Sequence, residues 1–150
     1  MGYGYHPYDG SRDRNRLGTF FGLMRAWAAG IVVLWLVNAL LTMAVFQPLA
    51  TPERIGSFGW RLALIHLPSA LASACSVFAA AKAHPEPYRS SAPLHLAAAL
   101  TVPIAMHAFH LVDRWSELVA EGIWLSSVAV LAGCLAGVLL DVALEHRHET

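Results

Sequence analysis

Residues Trp27–Phe46 read WAAGIVVLWLVNALLTMAVF, a run with no Asp, Glu, Lys or Arg. Wound as an α-helix at 1.5 Å per residue, it is ~30 Å long, the thickness of a bilayer's hydrocarbon core. Three more runs of about the same length follow, at Leu62–Ala81, Leu94–Val112 and Ile123–Val142. Each is uncharged through its central part. Lipid offers no hydrogen-bond partners, so each run must satisfy its backbone internally, and a helix does this where an open sheet cannot. The expected fold class is therefore an all-α integral membrane protein, a four-helix up-down-up-down bundle.

Composition agrees. The 150-residue chain is 57% hydrophobic and 13% charged, against about 25% charged in soluble domains. A soluble fold of this size could not cover itself with so little polar surface. Net charge is zero, which gives nucleic acid no electrostatic footing. Cys75 and Cys134 both fall in apolar runs without a Cys-x-x-Cys spacing, and read as small hydrophobes rather than a redox pair. The polar, aromatic N-terminal stretch is too long to precede a signal-peptide core. His6 stands where a myristoylation motif needs Ser or Thr.

Orientation follows from the basic residues. Arg12, Arg14, Arg16 and Arg25 precede the first span, Lys82 and Arg89 lie in or beside the second connection, and Arg147 is in the tail. Only Arg54, Arg61 and Arg114 fall on the other side. By the positive-inside rule both termini are cytoplasmic. Trp60, Trp115 and Trp124 then lie at the outer interface, where indole rings settle. The expected organisation is a basic, irregular or interfacial N-terminus over residues 1–25, a transmembrane domain over 26–143 and a cytoplasmic tail over 144–150, in the plasma membrane. Thr51-Pro52-Glu53 suits the start of a short interfacial helical turn. Ser91 is placed to cap the third span ahead of Pro93.

Small residues mark where these helices should meet. In the second span Ser69, Ser73, Ser76 and Ala80 follow His66 at alternating steps of three and four, which is one helix face. The fourth span carries Ala129, Gly133, Gly137 and Asp141 at steps of four, a ladder for close backbone approach. Asn38 in the first span is expected to face the bundle and bond across it.

Four of the eight histidines lie inside spans: His66, His95, His107 and His110. Polar residues there are costly, and each invites a functional reading. His66 lies five residues below Arg61, roughly 7–8 Å deep, and His107 six residues before Asp113, roughly 9 Å deep. At about 100° per residue, His95, His107, His110 and Asp113 share a wedge of about 120° on the third span, with Pro103 inside it. His95, nearer the inner end, reads as a packing histidine.

Two chemistries fit this pattern. A b-type haem takes one imidazole from each of two helices, here His66 with His107 or His110, with Arg61 and Arg114 pairing with its propionates. A transition metal such as copper or zinc would use His66, His107 and His110, with Asp113 as fourth ligand or support. The competing reading is that these histidines only bond water, headgroups or carbonyls. In that case the chain is an accessory or assembly subunit of a larger membrane complex, and this is the primary expectation. Its partners would be lipid and other membrane subunits or further copies of itself. A small dimeric transporter is disfavoured, because no acid lies deep in a span. No Ser-His-Asp spacing, H-E-x-x-H or phosphate-binding glycine loop supports an enzyme.

Overall fold

The computed structural model describes residues 10–85, 91–116 and 120–148. Among these there is no strand. Helix α1 (Gly10–Leu41) continues through a first π turn, Thr42–Phe46, into the short α2 (Gln47–Leu49). Two further short helices, α3 (Pro52–Gly56) and α4 (Phe58–Arg61), lead through a second π turn, Leu62–His66, into α5 (Leu67–Ala83). Helices α6 (Ala92–Asp113) and α7 (Ala120–His148) complete the chain. Four helical stretches are long and apolar enough to cross a membrane: Leu17–Leu49, Phe58–Ala83, Ala92–Asp113 and Ala120–Arg147. Each contains one of the runs read from sequence. The chain is an all-α, multi-pass membrane protein.

The first helix starts earlier than expected, at Gly10 rather than near Trp27. The arginine-rich stretch Ser11–Arg16 contains no proline, and extending an established helix costs far less than nucleating one. Residues 1–9 and Arg89 lie outside the described residues. Thr51 does cap a short helix: its hydroxyl accepts from the Arg54 N–H at 3.3 Å at the head of α3. Ser91 occupies the N-cap position of α6, but its side chain makes no capping bond.

The two π turns share one cause. Each ends two residues before a proline, Pro48 and Pro68. A proline ring collides with the carbonyl four residues earlier, here Ala44 and Leu64, and cannot donate to it. Both carbonyls lie inside the widened turns, where bonds run five residues back, from Gln47 N–H to the Thr42 carbonyl and from Leu67 N–H to that of Leu62. The sequence reading noted Pro103 but not this matched pair.

Helix α5 is the hub, packing against α1, α6 and α7. Its contact with α7 depends on glycine. A Cβ on Gly133 would overlap the Ala70 carbonyl, and one on Gly137 would sit 2.7 Å from the Ala74 carbonyl oxygen. The ladder on the fourth span therefore does pack within the bundle. On the α1 side, Ser76 Oγ donates to the Gly30 carbonyl at 2.9 Å, across two helices and fully buried. Asn38 does not play that part: its Nδ2 donates to Leu34 of its own helix at 2.8 Å. Ala26, Ala80 and Ala98 form one buried apolar cluster, and Val77, Ala81, Ala99, Val130 and Cys134 another. The outer surfaces carry Val32, Leu36, Leu131, Leu135 and Leu139, all exposed. Large apolar side chains on the outside and small ones within suit a bundle solvated by lipid.

Candidate cofactor chamber

Around the second π turn, the four spans line a half-open cavity of about 1070 Å³. Its floor is mainly apolar, from Leu34, Pro103, Met106 and Val130, with Ser69 and Ser73 of α5 beside them. Both π turns contribute to the wall, through Thr42 and Met43 and through Ile65 and His66. All five residues expected to serve a haem stand around this one space: His66, His107, His110, Arg61 and Arg114. Asp113 does not. It is exposed and outside the lining.

The three imidazoles differ in what already holds them. His66 is 6% exposed, and its buried Nδ1 has no hydrogen-bond partner. A bare polar atom in that setting costs on the order of 1–3 kcal/mol unless something satisfies it. His107 Nε2 lies 3.0 Å from Ser127 Oγ. The Ser127 hydroxyl donates its single proton to the Ile123 carbonyl at 2.7 Å. Ser127 therefore accepts from His107, which places a proton on Nε2 and leaves Nδ1 of the neutral ring bare. His110 meets the Phe109 ring edge-on, with centroids 6.3 Å apart.

The mouth is charged. Arg61 Nη2 donates to Glu121 Oε1 at 2.9 Å, joining the second span to the fourth. Its Nη1 donates to the Gly56 carbonyl at 3.0 Å. Arg114, from the third span, makes no side-chain hydrogen bond or ion pair with the described residues. Glu121 and Ser127 were not singled out from sequence. Both sit at the start of the fourth span, Glu121 just before its expected boundary at Ile123 and Ser127 in a serine pair just inside it.

Among the described residues no group of three or more His, Cys, Asp or Glu side chains is gathered closely enough to hold a metal ion. The set His66, His107, His110 and Asp113 is not such a group.

His95 lies away from the chamber and is not merely a packing residue. Its Nε2 sits 3.0 Å from Asp141 Oδ2, while Lys82 Nζ holds Oδ1 at 2.8 Å. Asp141 is buried, at 2% exposure, so the last rung of the glycine ladder is a carboxylate clamped by two other spans. The ring of His84 lies against that of His95, with centroids 5.7 Å apart. A lone acid on a small-residue face was the available signal. Its place at the inner end of the span gave no sign of the two partners on other spans.

No family model, no curated protein and no solved structure matches this chain. The site's own geometry therefore carries the functional argument.

Proposed function

We propose that this membrane protein holds a b-type haem in the chamber and serves as an electron-transfer accessory subunit of a larger plasma-membrane complex. The observation that carries the reading is that His66, whose buried Nδ1 has no hydrogen-bond partner, lines the same cavity as two further histidines. The volume, about 1070 Å³, stands just above the usual range for small-ligand and cofactor sites, roughly 300–1,000 Å³. His66, with His107 or His110, would hold the iron. Ser127 fixes the His107 ring, as a hydrogen-bonded support does for a ligating histidine. Haem would supply one-electron chemistry, and the apolar floor would keep water from its face. A bare transition metal is the weaker reading, since the histidines do not converge as a three-ligand set. Both termini lie inside the cell, and the chamber opens on the outer side.

An absorption spectrum of the purified, reduced protein tests this. A sharp b-type spectrum is expected, and His66→Ala should abolish it. His107→Ala and His110→Ala should differ, because losing the true ligand removes the haem while losing the other only shifts its potential. His95→Ala should leave the spectrum intact, since His95 bonds Asp141 away from the chamber. A colourless, metal-free protein that stays helical and keeps its partners after His66 and His107 are both replaced would leave the scaffold role alone standing.

A further inference from the structure

The chamber mouth carries three charged groups from three spans: Arg61, Arg114 and Glu121. Their states are unequal. Arg61 is anchored through Nη1 to Gly56, and its Nη2 arm is given to Glu121. Arg114 is uncommitted among the described residues. The Arg61–Glu121 pair is partly open to solvent, with side chains 31% and 55% exposed. Such pairs are screened and weak, so they exchange readily. A guanidinium also prefers a carboxylate it can meet with two parallel bonds.

We propose that Glu121 is a placeholder carboxylate. The chamber takes a flat amphiphile with two carboxylates on one edge: Arg114 receives one, and the other displaces Glu121 from Arg61. This deepens the haem reading and rests on it. Three features support it together. The floor is apolar and the mouth is cationic on two sides, which matches an apolar body with an anionic edge. The Gly56 contact holds the guanidinium in place while its second arm changes partner, so the exchange needs no movement of the helix. A ligand seated in the chamber presents its carboxylate at high effective concentration, which favours it over the exposed Glu121 side chain. Glu121 would thus keep Arg61 satisfied before loading and would bias the site against ligands lacking the second carboxylate.

The test titrates the detergent-purified full chain with hemin and with hemin dimethyl ester, whose carboxylates are capped, following the Soret band. Wild type should bind hemin about tenfold more tightly than the ester, the size of one charge-assisted bond. Glu121→Gln should tighten hemin roughly three- to tenfold and leave the ester unchanged, because the competitor for Arg61 is gone. Arg114→Gln should weaken hemin about tenfold, again without affecting the ester. Equal binding of the two porphyrins by wild type, or weaker hemin binding by Glu121→Gln, would overturn the placeholder role and leave haem binding standing. A protein that binds neither porphyrin would overturn both.

Discussion

Along the same four spans, one half of the bundle brings helix backbones into contact and the other half leaves a cavity between them. In the tight half, Gly133 and Gly137 lie against the Ala70 and Ala74 carbonyls, and Ser76 bonds to Gly30. In the chamber half the spans are tied by side chains instead of backbone contact, through His107–Ser127 and Arg61–Glu121, while Asn38 bonds within its own helix to Leu34. Stability should therefore be concentrated in the first region and ligand chemistry in the second. Membrane helices gain little from burying apolar surface against one another, so close approach is what holds them. A chamber is affordable only because the other half supplies that approach.

The largest expected effect tests the tight half. Gly133→Ala should cost about 3 kcal/mol, the top of the usual overpacking range, because its Cβ would meet backbone that cannot turn aside. Thermal unfolding in detergent measures this. An unchanged midpoint would mean that α5 and α7 do not touch there, and the contrast between the halves would fail. Next comes Asp141→Ala, which leaves Lys82 and His95 without their shared partner. Removing one side of a fully buried ion pair costs about 3–5 kcal/mol. Lys82 can turn partly toward water, since its side chain is 36% exposed, so about 2 kcal/mol is expected. Asp141→Asn, which keeps the shape and one acceptor, should recover part of it. The smallest effects form a matched pair. Ser76→Ala should cost about 0.6 kcal/mol, the average for a hydrogen bond between membrane helices. Asn38→Leu should change stability by less than about 0.5 kcal/mol, as for side chains outside the packed core. If the order of this pair were reversed, Asn38 would be bonding across the bundle and not only to Leu34.

The four spans were legible because lipid imposes length and apolarity directly on the sequence. The glycine ladder was legible because close approach requires small residues at regular spacing. The chamber's five residues could be gathered from depth and helical phase, since both follow from counting along a helix. What sequence missed depended on choosing between partners. Asn38 had a carbonyl available four residues back, and a local bond of that kind needs no neighbouring helix. His95 and Asp141 were each placed near the inner end, but nothing in one sequence says that two side chains on different spans share an angle. The pairing of Arg61 with Glu121, sixty positions away, was equally invisible in the sequence.

The π turn before Pro68 has a consequence for how this chain tolerates change. A turn closed over five residues carries about one residue more than an α-turn needs, and one residue is about 100° of rotation. Closing this turn as plain α-helix with all its residues kept would swing Arg61 round by that angle, away from Glu121, whereas deleting one position between Leu62 and His66 would remove the surplus and leave Arg61 in line with the serines and alanines beyond. The bearing of the chamber mouth relative to the packed half thus depends on one surplus residue being absorbed in the turn. Single-residue deletions in this segment should be borne far better than deletions elsewhere in the spans, a pattern that a deletion scan would expose without any knowledge of the ligand.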